Sequence, residues 1–182
     1  MFAITKRLLL RPGWAEDAAE LTAALSDARI ARNLSRMPWP YSLSDAELYL
    51  ATPSDPAYPS FQIIDRKVEP VRMIGGIGFM AGSSAPELGY WLVPDRWGQG
   101  LAVEAAQAAI AAVRSSLGYT CIEAGHFIDN PASGRVLEKL GFRPTGQIEK
   151  RFSLARNCEV DCVGFALTGA TDYDALPPAM AA

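Results

Sequence analysis

Pro86-Glu87-Leu88-Gly89-Tyr90-Trp91-Leu92-Val93-Pro94-Asp95-Arg96-Trp97-Gly98-Gln99-Gly100-Leu101-Ala102 is the stretch whose reading decides the fold. Residues 87–93 alternate, with Leu88, Tyr90 and Leu92 on one side and Glu87, Gly89 and Trp91 on the other, the period of a strand. Pro94 has no N–H to donate and biases Val93 away from helix, so pairing ends there. Beyond Gly98 and Gly100, the residues Val103, Ala106, Ile110, Val113 and Leu117 recur at three- and four-residue spacing, the apolar stripe of a helix. A strand therefore runs through a glycine turn into a helix N-terminus, where the first N–H groups lack intrahelical partners. Glycine lets a ligand approach the backbone and the helix dipole favours negative charge, so the turn suits a phosphate or pyrophosphate. Turns of this kind also close many strand–helix connections that bind nothing. The dinucleotide fingerprint wants a third glycine where this chain has Val103, and no Gly-Lys-Ser/Thr follows to make a P-loop.

Around that centre, the chain of 182 residues is long enough for one domain with a real core, read as residues 1–168 with a C-terminal tail over 169–182. A net charge of −3 argues against broad nucleic-acid binding, so an anionic ligand has to be held by local donors. Three cysteines, Cys121, Cys158 and Cys162, form no Cys-x-x-Cys pair, and His126 is the sole histidine, which speaks against a metal site. Buried reduced thiols suit a cytoplasmic protein. There is no signal-peptide pattern and no run near the roughly 18 apolar residues of a membrane span.

In chain order, residues 4–11 read as one strand, and helices are expected from about Ala15 and over 27–34. The prolines in Met37-Pro38-Trp39-Pro40-Tyr41 exclude regular structure. Ser44 with Glu47 reads as a capping box. Strands follow at 61–64 and 73–80, and Gly75, Gly76 and Gly78 inside the second suggest a bulge or a close backbone approach. After the long helix come a strand over 121–128, a helix opened by Asn130-Pro131, and a terminal hairpin around Arg156-Asn157. That order fits an α+β fold, a mixed and largely antiparallel sheet of about seven strands flanked by helices.

Three motifs now stand in order: Thr5-Lys6-Arg7-Leu8-Leu9-Leu10-Arg11-Pro12; the strand and glycine turn from Glu87 to Ala102; and Asn130-Pro131-Ala132-Ser133 with Leu137-Glu138-Lys139-Leu140-Gly141-Phe142. Together they resemble the GNAT superfamily of acyl-CoA N-acetyltransferases, nearest to the subgroup of the ribosomal-protein-alanine N-acetyltransferases. The resemblance implies the three-layer GNAT fold with splayed central strands, and acetyl-CoA as acyl donor without a metal. It implies a pyrophosphate on Trp97, Gly98, Gln99, Gly100, Leu101, Ala102 and Val103. The pantetheine arm would lie along the backbone of Trp91, Leu92 and Val93 like an added strand, with Asn130 beside it. Two departures stand out: Trp97 replaces a common Arg or Gln, and Leu137 occupies the position where many relatives have an acidic Tyr.

For the implied reaction, direct attack of an amine on the thioester, the backbone N–H of Leu92 or Val93 is the expected oxyanion donor. Ser133, one helical turn past Asn130, is the expected hydrogen-bond partner of the sulfur, or else a local backbone partner. Glu87 and His126 are the base candidates; the plainer readings are a solvated strand-end charge and a packed, hydrogen-bonded ring. Glu104 reads as a dipole partner of the helix it opens. The resemblance places the Met37 to Tyr41 loop, with Trp39 and Tyr41, and the Arg151 to Asn157 hairpin around the acceptor entrance. The acceptor stays open between a peptide N-terminus and a small-molecule amine, whether a free amino acid or an amine antibiotic. The chain is read as a monomer or homodimer. The alternative to an enzyme is a GNAT-fold module that binds acyl-CoA without turnover.

Overall fold

The fold, described for residues 1–169 of a computed structural model, is one mixed sheet with helices on both faces. The tail expected from residue 169 lies, Gly169 apart, outside the described residues. Eight strands run in the order β1-β2-β3-β4-β5-β6-β8-β7. They are β1 (Ala3–Ile4), β2 (Leu8–Arg11), β3 (Ser60–Asp65), β4 (Arg72–Ala81), β5 (Pro86–Leu92), β6 (Cys121–Phe127), β7 (Arg143–Ser153) and β8 (Cys158–Thr168). The helices are α1 (Ala18–Leu25), α2 (Ala28–Ala31), α3 (Leu43–Ala51), α4 (Leu101–Leu117) and α5 (Pro131–Lys139). All neighbouring strands pair antiparallel except β5 and β6, which α4 connects as a parallel crossover. Among the described residues no helix is long and apolar enough to cross a membrane.

The extra strand relative to the expected seven comes from the N-terminus. Residues 4–11 do not form one strand: Thr5 Oγ1 accepts the Leu8 N–H at 2.8 Å, and the chain folds back as the β1–β2 hairpin. A short polar side chain bonding the backbone three residues on is the device that breaks the run. A second difference is at α3, where the capping box is Ser42 with Asp45, two residues ahead of the expected Ser44 and Glu47. The Asp45 carboxylate accepts the Ser42 N–H at 2.8 Å, and Asp serves at that position as Glu does. The thiols are all free, but Cys158 is exposed and Cys121 half-buried, so only Cys162 matches the expected burial.

Two apolar layers hold the helices to the sheet. On one face Leu8, Ile63, Ile74, Leu88 and Leu92 pack against Ala105, Ala109, Ile110 and Val113 of α4 and Leu137 of α5. On the other, Leu21, Leu25, Ile30, Met37 and Ala46 pack against Ile64 and Met73.

The sheet is bent in its middle. Ile63 pairs with Gly75 while Ile64 pairs with Met73, so Ile74 is the extra residue of a β-bulge in β4. Next to it, a Cβ on Gly75 would collide with the Trp91 carbonyl, and one on Gly76 would sit 2.6 Å from Trp91 Nε1. The expected bulge and the expected close approach are both present, one explaining the kink and the other the glycines. The Met73 N–H beside the bulge is donated to Glu20 of α1 at 2.7 Å, which ties the helix layer to the bend.

A buried ion pair anchors the start of α1. Arg11 Nη1 and Nη2 grip the two Asp17 oxygens at 2.7 Å each, and Asp17 also accepts the Trp14 N–H. The Arg11 bond holds the Asp17 carboxyl below its ordinary value, against the opposing effect of burial. Removing one partner leaves a buried charge alone, so Asp17→Asn is expected to cost about 3 kcal/mol at pH 7. A depressed carboxylate contributes its stability above the unfolded value of about 3.9 and loses it as pH falls through the folded value. Urea titrations should therefore show the wild-type advantage shrinking toward pH 3; an advantage that grows on acidification would contradict the assignment.

Candidate functional site

The site begins where β5 and β6 part. They pair only at Glu87 with Glu123 and Leu88 with Ala124. From Gly89 onward β5 follows β4, bent by the Ile74 bulge, while β6 follows β8 to Phe127. Alternation along β5 decides which backbone groups face the gap. Val93 donates its N–H to Ile74 of β4 at 2.8 Å, so the N–H of Leu92, one residue back, points the other way, beyond the last β6 partner. Of the two expected oxyanion donors, the Val93 N–H is thus committed to β4, and the Leu92 N–H is the one directed at the gap.

At the end of β5, Trp97 Nε1 is bonded to the Leu92 carbonyl at 2.7 Å and folds the glycine turn back onto the strand. Gly98 and Gly100 have φ of 74° and 75°, which only glycine adopts without strain. Among the described residues no protein acceptor is bonded to the N–H groups of residues 98–103, so a row of donors lines the mouth of α4. The N-terminal hairpin braces this turn from behind. Arg7 Nη1 bonds the Gln99 carbonyl at 2.9 Å and Arg7 Nε bonds Glu104 at 2.6 Å. Glu104 also accepts from the Thr5 hydroxyl and the Arg7 N–H. Burial acts to raise the Glu104 carboxyl, but these bonds from Thr5 and Arg7 outweigh it and hold it below its ordinary value. Glu104 is structural, as expected, and it acts through a tertiary clasp more than through the dipole.

One cleft of about 400 Å³ runs from the turn through the gap. It brings together Trp91, Leu92, Trp97, Gly98, Gly100 and Leu101, with Ala102 and Val103 on the α4 side. Glu87, His126, Asn130 and Ser133 line it as well. Val93 and Gln99 lie outside the lining, the first turned to β4 and the second bonded through its side chain to the Asp95 carbonyl at 2.9 Å. Trp39 and Tyr41 are not brought there. Met37 is buried and anchors the loop, so Trp39 faces a separate hollow by Arg32 and Arg156, and Tyr41 packs into the second apolar layer. Ile30, Asn33, Leu34 and Ser35, on and after α2, take the place expected of them.

The sheet separates the polar residues into two sets. On the α5 side Asn130 caps the helix, its Oδ1 accepting the Ser133 N–H at 3.4 Å. The Ser133 hydroxyl lies 2.7 Å from the Tyr90 hydroxyl, and burial pushes the Tyr90 phenol up to about 12. In the sequence Tyr90 reads only as an apolar-face residue; its place two residues before Leu92 on the cleft strand is the available signal. Leu137 is fully buried in the core. His126 stands on this same face, its Nδ1 2.8 Å from the Phe127 carbonyl and its Nε2 against Gly134. On the other face Glu87 forms an ion pair with Arg151 of β7, and that bond raises the Arg151 guanidinium. Cys162 lies beside them, its thiol pushed up by burial.

A family model described as an acetyltransferase (GNAT) domain matches residues 7–143. An uncharacterized N-acetyltransferase of Bacillus subtilis, YoaA, is 31% identical over 160 residues, covering 82% of this chain and 88% of its own. Among solved structures, a GNAT-family acetyltransferase from Bacillus anthracis superimposes with a TM-score of 0.78 at 24% identity, over 92% of this chain and 98% of that one. The ribosomal-protein-S5-alanine acetyltransferase of Vibrio fischeri gives a TM-score of 0.79 at 17% identity, over 97% and 100% of the two chains. RimL, a ribosomal α-N-protein acetyltransferase solved with coenzyme A, gives 0.75 at 18% identity, over 92% and 98%. The match over most of the chain, with the eight-stranded sheet parted between β5 and β6, makes this protein a member of the GNAT acetyltransferase family.

Because a carbonyl only accepts, the Phe127 contact requires a proton on His126 Nδ1, leaving Nε2 as the acceptor of the neutral ring. Nitrogen-15 chemical shifts of the imidazole should report the Nδ1–H tautomer; a dominant Nε2–H form would contradict this arrangement.

Proposed function

We propose that the protein transfers the acetyl group of acetyl-CoA to a primary amine by direct attack within a ternary complex. The observation that carries this reading is the parted pair of strands ending at a turn of undonated N–H groups. An arm bearing two amides fits the free edge of β5 as an added strand would, and a diphosphate fits the donors of residues 98–103. Arg135, exposed on the cleft rim without a protein partner among the described residues, adds positive charge for the phosphates. Acetyl-CoA supplies the thioester: the amine nitrogen bonds to the acyl carbon, the C–S bond breaks, and of the two ammonium protons lost one goes to solvent and one to sulfur.

The chain's own groups then divide the work. The Leu92 N–H is directed at the oxyanion that develops on the acyl oxygen. Ser133, backed by the protonated Tyr90 hydroxyl, hydrogen-bonds the departing sulfur and takes the part that Leu137 leaves vacant. Glu87, on the face opposite Ser133, receives the acceptor ammonium and passes its proton to water. His126 shares the Ser133 face and acts in positioning rather than as the base.

Two measurements test this. Gly100→Val should weaken acetyl-CoA binding in calorimetry by about tenfold or more, since a positive φ costs a side chain about 1–2 kcal/mol and the branch enters the phosphate cradle. The fold itself has room there, the nearest atom to an added Cβ being Arg7 Nη2 at 3.8 Å. Unchanged affinity would remove the diphosphate from this turn. Ser133→Ala should lower kcat by about 10²-fold while leaving acetyl-CoA affinity within a few-fold; binding without turnover of any amine by the wild-type protein would favour a sensor.

A further inference from the structure

The acceptor side of the cleft carries a charge pair, Glu87 with Arg151, of which the acetyl-transfer reading uses only the carboxylate. Of the described residues lining the cleft, Glu87 is the sole carboxylate, and it already faces Arg151. A polyamine or an aminoglycoside needs several carboxylates to replace its hydration, and this cleft offers one, already facing a guanidinium. With its one described carboxylate already paired, the cleft disfavours polycationic acceptors.

The Glu87–Arg151 pair is only half used. Arg151 Nη1 bonds Glu87 Oε1, and neither Glu87 Oε2 nor the Nε and Nη2 groups of Arg151 have a further hydrogen-bond partner among the described residues. Arg151 has 33% of its side chain exposed and Glu87 14%, so both reach the cleft without being free in solvent. Gly125 lets Cys162 and Arg151 pack close against β6: a Cβ there would lie 2.8 Å from Cys162 Sγ and 3.8 Å from Arg151 Cζ. An acceptor oxygen thus stands next to a vacant guanidinium edge, the complement of an ammonium next to a carboxylate. Ile30, Leu34, Met80 and Trp91 supply apolar walls around this charged floor.

The wall itself is fixed in place. The Leu154 N–H bonds the Ser35 carbonyl at 2.9 Å, and Arg156 bonds the Arg32 carbonyl at 2.6 Å. Arg32 and Arg156 both grip Asp129 at 2.8 Å, next to Asn130. The β7–β8 hairpin that carries Arg151 is thereby clasped to the α2 segment and to the end of β6, which holds the guanidinium at a set distance from the gap.

Resting on the acetyl-transfer reading, we propose that the acceptor is a small zwitterionic α-amino acid with an apolar side chain. Its carboxylate lies on Arg151 and its ammonium on Glu87. A peptide N-terminus presents an amide in place of that carboxylate and leaves the guanidinium edge unpartnered.

The test is thiol release from acetyl-CoA with free apolar L-amino acids, their carboxamides, alanine-initiated peptides and putrescine, using the wild-type protein. The expected result is a kcat/KM for the free acid about tenfold or more above that for its carboxamide, with the difference mainly in KM. In Arg151→Gln that ratio should collapse toward one, and Arg151→Lys should restore part of it. Equal or better turnover of carboxamides, peptides or putrescine would overturn the proposal while leaving N-acetyl transfer standing. Turnover of no amine at all, with acetyl-CoA bound, would remove both. The acid-to-carboxamide ratio is read on the unmodified enzyme, so the test does not depend on either variant folding.

Discussion

Everything at the cleft follows from β5 and β6 staying together for only two residue pairs. The cause lies one strand away, in the Ile74 bulge of β4, which sits opposite the point where Leu92 and Val93 leave the sheet. A bulge bends and overtwists its strand, and β5 is carried with it because Gly75 and Gly76 let the Trp91 backbone and indole press directly on β4. Meanwhile β6 is held by seven pairs to β8 and does not follow. Two strands with different allegiances must open a gap, and the backbone groups facing it have no ladder partner. Burying such groups without a partner is costly, which is why a parted sheet signals a ligand that brings its own amides.

The same parting sorts the chemistry. Odd and even residues of β5 face opposite layers, so Tyr90 reaches Ser133 of α5 while Glu87 reaches Arg151 of β7. The sheet thus presents the cleft with hydroxyls from one layer and a charge pair from the other. The α4 N-terminus closes the third side, locked by the Arg7–Glu104 clasp to a hairpin from the far end of the sequence. Stiffness is built from tertiary contacts here, because a turn with two positive-φ glycines has little of its own.

Much of this was legible in the residues. Period-two alternation over 87–93, the glycine turn, the stripe on α4 and the Asn130-Pro131 cap are local patterns, and each fixed its element within a few positions. The glycines of β4 announced a bulge or a close approach because no other residue type has that use inside a strand. What escaped was set by contacts distant in sequence. The expected strand over residues 4–11 became a hairpin whose turn the Thr5–Leu8 bond makes and which Glu104, 97 residues or more away, holds in place. Glu87 reads as a base candidate or a solvated strand-end charge, and its partner Arg151 lies 64 residues on. Trp39 and Tyr41 look like cleft aromatics in a proline-rich loop, but the burial of Met37 turns the loop away. Tyr90 is a case of a polar tip on an apolar-face residue, which alternation alone cannot distinguish from packing.

The account stands most directly on the direction of a single amide. Hydrogen exchange of the Leu92 N–H, followed by NMR with and without saturating acetyl-CoA in the absence of an acceptor amine, reads it. Protection of Leu92 by the ligand, with Val93 unchanged because it is already bonded to Ile74, is the predicted result. Acetyl-CoA bound to saturation while Leu92 exchanges as fast as before would contradict it.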